Sequence, residues 1–205
     1  MRFLILCVLL VWTMAANVPF VDMWEEVRDA KCFAEGAKGV CLRVYTSIGK
    51  VDPNFNKTMV KFKPYKINVT GYIMPSQKVD VKKQAADIIE VLKNYTMIKM
   101  LAVVVEGRDW NVDPLKNVQL LTTLIGELKK FKYTLCIQTE ERAWDRIMDR
   151  NSDFAALPLW WNQHDNEPEP GRRFRPFGGW RRPSAKQYAA GELCGNAVGK
   201  NMLYQ

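Results

Sequence analysis

The sequence predicts an α/β fold: parallel strands joined by helical crossovers, finishing in strand and loop. Three observations predict it. Strand-like and helix-like runs alternate from Gly39 to Met148. The run Met97 to Val105 is almost continuously apolar, as a strand covered on both faces is. The C-terminal stretch changes character: it holds no good helix and carries Pro168, Pro170, Pro176 and Pro183.

Each element has a local reason. Gly39 to Tyr45 and Lys66 to Met74 read as strands, the second closed by Pro75. Val79 to Tyr95 is helical, because Ala85, Ile88, Ile89, Val91 and Leu92 fall on one face. Met97 to Val105 is the buried strand. Asp113-Pro114 opens the next helix, Asp as cap and Pro in the first turn. Its apolar face holds Val118, Leu121, Leu124, Ile125 and Leu128, and Lys129-Lys130 suit its C-terminal end. Tyr133 to Thr139 is a further strand, Glu140 to Met148 a short helix, and Phe154 to Trp161 strand again. Lys186 to Ala189 is strand-like within the tail. No repeat or Pro/Gly/Ser linker divides the chain, so residues 17–205 read as one domain.

Residues 1–16 read as a secretory signal peptide. Arg2 precedes an uncharged apolar run from Phe3 to Trp12, and Ala15-Ala16 supply small residues for cleavage. The run is too short to span a bilayer. A secreted, extracellular protein beginning near Asn17 is expected. Three glycosylation sequons agree: Asn56-Lys57-Thr58, Asn68-Val69-Thr70 and Asn94-Tyr95-Thr96. Four cysteines remain after Cys7 leaves: Cys32, Cys41, Cys136 and Cys194. They allow up to two disulfides in three connectivities, or unpaired buried thiols.

Composition narrows the function classes. Hydrophobic residues at 48% and charged residues at 25% are ordinary globular usage and argue against disorder. His164 is the one histidine, which excludes a two-histidine site within one chain. The cysteine spacing does not resemble a zinc site, and nothing indicates a metal or organic cofactor. A formal charge of +8 favours anionic partners such as nucleic acid, a bacterial envelope surface or acidic glycans, and charge alone does not choose among them. Secretion argues against nucleic acid.

Glu106 is the sharpest signal. A carboxylate at the C-terminal end of a parallel strand lies where barrel active sites sit, and apolar walls would make it a usable proton donor. The alternative is a strand-end glutamate paired with Arg108. Trp160 to Asp165 combines stacking surfaces with amides, which suits sugar rings; the alternative is one core tryptophan and the start of a loop. The stretch Gly171 to Pro183 interleaves Arg172, Arg173, Arg175, Arg181 and Arg182 with Phe174, Phe177 and Trp180. It reads as a polyanion-binding surface or as a solvated loop anchored by its aromatics.

Taken together, several of these motifs resemble the glycoside hydrolase family 25 lysozymes, closest to the invertebrate, nematode-type branch. They are Leu159 to Asp165, Pro176 to Trp180, Pro183, Lys186-Gln187-Tyr188 and Cys194. Upstream, Arg43-Val44-Tyr45, Ser47, Gly49, Asp52-Pro53-Asn54, Gly71 to Pro75 and Glu106-Gly107 fit the same group. The resemblance implies a modified TIM-like barrel of five β/α units followed by three helix-poor strands. It implies bacterial peptidoglycan or a related glycan as substrate and a setting in innate defence or digestion of bacteria; a monomer is expected.

The resemblance makes Glu106 the general acid. The family's aspartate two residues earlier is Val104 here, and its C-terminal aspartate matches Gly199. Asp22 lies near the family's first-strand acid, though only with an alignment gap. Tyr45, Tyr72, Trp160, Gln163 and Tyr188 match sugar-contact positions, and each could equally be retained for packing. Losing an acid–base partner costs roughly 10²–10⁴ in rate, so a poor or inactive lysozyme is expected. The rivals are a working hydrolase with Asp22 or another acid as substitute, a non-catalytic glycan-binding or signalling protein, and a cationic antimicrobial acting through its arginines.

Overall fold

The computed structural model describes residues 17–169 and 173–204. The expected leader, 1–16, and Arg172 of the arginine-rich stretch lie outside them. Strands β1 (Val18–Met23), β2 (Val40–Thr46), β4 (Val69–Ile73), β5 (Met100–Val104), β6 (Thr134–Thr139) and β7 (Leu159–Asn162) are joined by parallel pairing. Strand β8 (Ala185–Leu193) continues parallel to β7, and β9 (Asn196–Leu203) returns antiparallel to both β8 and β1. The β1–β2 pairing closes the ring as an eight-stranded barrel. A two-residue strand β3 (Lys50–Val51) forms a hairpin on β2.

Helices α1 (Ala30–Gly36), α2 (Pro53–Phe62), α3 (Val81–Leu92), α4 (Pro114–Lys129) and α5 (Glu141–Met148) follow the first five barrel strands. Five β/α units and three helix-poor strands are therefore the observed architecture. Four helices begin on an aspartate whose carboxylate accepts a backbone N–H: Asp29, Asp52, Asp80 and Asp113. Proline occupies the first turn of α2 and α4.

Two apolar layers hold the barrel. The larger lies between strands and helices, where Val103, Val105 and Ile137 meet residues such as Ile88, Leu124 and Trp144. The smaller fills the barrel interior with Cys41, Tyr72, Ala102, Val104, Cys136, Trp160 and Ala185. Alternation along β5 sends Ala102 and Val104 inward and Val103 and Val105 outward.

Several elements differ from expectation. Strands β4 and β5 begin later than the apolar runs, and turns occupy most of 152–157, so β7 is short. β1, α1, α2 and β9 were not individually foreseen. Of the up to two disulfides expected, one forms among the described residues: Cys32 on α1 joins Cys194 at the β8–β9 hairpin. Cys41 and Cys136 are buried free thiols, because β2 and β6 carry them into the interior with β4 and β5 between.

Candidate active site

The parallel strands end on one side of the barrel, and the site is built there. Three bonds fix the backbone around Glu106. Val105 donates to the Gln138 carbonyl at 2.9 Å, Thr139 Oγ1 donates to the Val105 carbonyl at 2.7 Å, and Trp110 Nε1 donates to the Glu106 carbonyl at 2.9 Å. Gly107 then takes φ +84°, a conformation open to glycine at little cost, and turns the chain away. The Glu106 side chain accepts from Asn162 Nδ2, and Asn162 Oδ1 accepts in turn from Gln138 Nε2 at 3.2 Å.

Burial pushes the Glu106 carboxyl up to about 7, against the Asn162 bond and His164, which lower it; the charges of Glu140 and Asp22 add to the rise. Proton release from this carboxyl is thereby moved from the acid range into the neutral range. The group lines a cleft of about 430 Å³ with Glu140, Asn162, Gln163, His164 and Gln187.

Behind Gln187 lies a second carboxylate. Asp22, near the end of β1, accepts from Gln187 Nε2 at 2.7 Å and from Asn201 Nδ2 at 2.8 Å. Gln187 Oε1 is left to meet His164 Nε2 at 2.7 Å, so His164 is the donor in that pair. Asn201 Oδ1 accepts from Trp160 Nε1 at 2.9 Å. A continuous chain thus runs Trp160, Asn201, Asp22, Gln187, His164. Burial raises the Asp22 carboxyl above its ordinary range, opposed by the two amide bonds. Gly199 is Asp22's partner across β1–β9, and a Cβ there would lie 2.2 Å from Asp22 Oδ1.

The structure brings Glu106 and Gln163 together in the cleft, with Asp22 linked to them through Gln187. Tyr72 and Trp160 sit in the barrel interior beside Val104. Tyr45 lies elsewhere. A bulge between Arg43 and Tyr45 reverses the inward alternation of β2, and the tyrosine is fully buried in the strand–helix layer. Tyr188 stands at a bulge in β8 and lines a groove near Pro19, Gly36 and Lys200 rather than the Glu106 cleft. Neither tyrosine meets a sugar in that cleft. Gln138, Asn162, Gln187, Asn201 and Glu140 were not singled out from sequence, though Asn162 and Gln187 stand inside the quoted motifs. Among the described residues, no group of three or more His, Cys, Asp or Glu side chains is placed to hold a metal ion.

The family model of lysozyme-like protein 1 matches residues 15–188. Probable GH family 25 lysozyme 2 of Dictyostelium discoideum is 30% identical over 158 residues, covering 75% of this chain and 74% of that protein. The chain belongs to the glycoside hydrolase family 25 lysozyme-like proteins.

Lysozyme-like protein 5 of Caenorhabditis elegans is 26% identical over 170 residues, 78% of each chain, in keeping with the nematode-type motifs. A family 25 glycosyl hydrolase from Bacillus anthracis superposes with a TM-score of 0.73 at 17% identity, over 92% of this chain and 89% of that one; it shares the fold. In this lysozyme-like barrel, Glu106 has the environment of a proton donor. The position two residues before it, where the resemblance implies a carboxylate, is apolar: Val104 is 8% exposed within the interior layer.

Proposed function

We propose that this lysozyme-like chain is a secreted, peptidoglycan-recognising protein of antibacterial defence whose muramidase turnover is reduced or lost. One observation carries the loss: Val104 packs among Tyr72, Trp160 and Ala185 where a second catalytic carboxyl group would stand. Glycoside hydrolysis uses one carboxyl group to protonate the leaving oxygen and a second to attack, activate water or stabilise the cation. The other departure, Gly199, is closed to a side chain by Asp22.

Secretion is supported by the apolar leader and by the Cys32–Cys194 disulfide, a bond suited to an oxidising compartment. All three sequon asparagines, Asn56, Asn68 and Asn94, are exposed and outside the Glu106 cleft, which suits glycosylation. The net positive charge favours attachment to an anionic envelope.

Peptidoglycan digestion by folded protein, with product analysis and a Glu106→Gln control, tests the reading. Little or no muropeptide release over a broad pH range, with saturable glycan binding, is the expected result. Release as fast as that of an active muramidase, lost in the control, overturns it in favour of a second reading, a working hydrolase. That reading has support in two remaining carboxylates: Glu140 lines the same cleft, and Asp22 is hydrogen-bonded to a residue of it.

A further inference from the structure

A second cleft adjoins the first. It measures about 370 Å³ and is walled by Glu140, Glu141 and Arg142 from the start of α5, and by Arg173 and Arg175 from the segment after β7, with Trp161 beside them. Trp161 is 5% exposed and held from two sides: Lys186 Nζ lies 5.1 Å from its ring centroid, and Phe174 meets it edge-on at 5.2 Å. Glu140 and Gln163 line both clefts, so the two are continuous.

The charges of this side cleft are largely unspent. Among the described residues, Arg142 and Arg175 form no ion pair, and Arg173 reaches Glu167 at 3.7 Å with its guanidinium still mostly exposed. Three guanidinium groups offer planar, paired donors to carboxylates. Glu140 and Glu141, in the same wall, would repel a simple polyanion and attract an ammonium group. A neutral sugar satisfies neither set. A ligand carrying carboxylates and an amine within a few ångströms of each other satisfies both.

We propose that the side cleft binds a short zwitterionic peptide carried as a substituent on the glycan, so that the chain selects peptide-bearing glycan over the bare polymer. The inference rests on the reading of the Glu106 cleft as the glycan site. The shared wall at Gln163 places the substituent pocket beside a sugar held there. The arginines that a bare charge count would assign to general polyanion binding thereby acquire a specific partner.

The test is calorimetric titration of the wild-type protein and an Arg142→Gln/Arg175→Gln variant. Three probes are used: a peptide-bearing disaccharide from bacterial wall, the same disaccharide with the peptide removed, and the free peptide. Both substituted side chains are exposed, and a thermal melt confirms that the variant folds. The wild type is expected to bind the peptide-bearing disaccharide at least tenfold more tightly than the stripped one. The double substitution removes that preference and leaves affinity for the stripped disaccharide unchanged; high salt narrows the preference in the wild type. Equal wild-type affinity for the two disaccharides overturns the proposal, as does a preference that survives the substitutions. Free-peptide binding that needs the arginines, with no binding of the stripped disaccharide, sustains the side cleft and removes the glycan reading. Binding of the stripped disaccharide with no peptide preference does the reverse, and binding of no probe overturns both.

Discussion

Asp22 and Gly199 face each other across the β1–β9 pair, and the carboxylate of the first occupies the space a side chain on the second would need. A Cβ on residue 199 would also lie 2.5 Å from Gln187 Nε2, which donates to Asp22. The glycine and the Asp22–Gln187 bond are therefore one feature. Gly199→Ala is expected to cost about 1–3 kcal/mol by overpacking, and distinctly less in an Asp22→Ala background. Denaturant melts of the four proteins measure the coupling. An equal cost in both backgrounds means that the two positions do not compete for space.

Val104→Asp places a carboxylate in the interior layer two residues before Glu106. Its register partner Gln138 offers an amide, but Tyr72, Trp160 and Ala185 offer little else, so a loss of roughly 1–3 kcal/mol is expected. If the missing carboxylate limits turnover, muropeptide release rises by ~10²-fold or more over the wild type. Folded Val104→Asp protein that releases no more product shows that another departure limits the reaction.

These two positions also show how far the sequence could be read. The inner strands and the amphipathic helices declare themselves through period, as β5 and α4 do. β1 does not: Pro19 and Asp22 interrupt its pattern, and pairing with β2 and β9 decides its state. α2 buries Phe55, Met59 and Phe62 on one side, but Asn and Lys between them dilute the stripe. Glu106 was legible because a carboxylate closing an apolar run is locally odd. For Tyr45 the sequence leaves sugar contact and packing both open, because the bulge that turns it into the core is invisible in a single strand's sequence. The Asp22–Asn201 contact joins residues 179 apart, and no local signal marks the partner.

Glu106 makes stability pH-dependent. Its carboxyl is held at about 7 when folded, against a reference of 4.5. Below the lower value both states are protonated and the group contributes nothing. As pH rises from there to about 7, the unfolded chain releases the proton and the folded chain retains it, so stability falls; above that the full cost, of order 3 kcal/mol, is in place. Glu106→Gln is therefore expected to match the wild type in acid and to exceed it at neutral pH and above. Urea midpoints across that range check this, and two parallel pH curves would reject a half-buried, proton-retaining Glu106.

Lys186 fixes the loop that carries His164. Its side chain is 1% exposed, and the ammonium group donates to both Asp165 oxygens at 2.8 and 2.9 Å, and to the carbonyls of Glu167 and Glu169 at 2.9 and 3.2 Å. Desolvation pushes the Asp165 carboxyl up, but the Lys186 bonds, the Glu167 N–H, and the charges of Lys186 and Arg173 together outweigh it and hold the carboxyl below its ordinary range. Lys186→Met removes the cation and leaves the Asp165 carboxylate, 5% exposed, with the Glu167 N–H at 3.0 Å but no ion-pair partner, which costs about 3–5 kcal/mol. Adding Asp165→Leu removes the stranded charge and is expected to recover part of that loss. His164 is the neighbour of Asp165, so loosening the loop also weakens its bond to Gln187. The imidazole NMR signals of His164 should then move toward solvent-like values in Lys186→Met while the barrel remains folded. Unchanged His164 signals would mean that Gln187 alone positions the imidazole and that the buried ion pair serves only the loop's own stability.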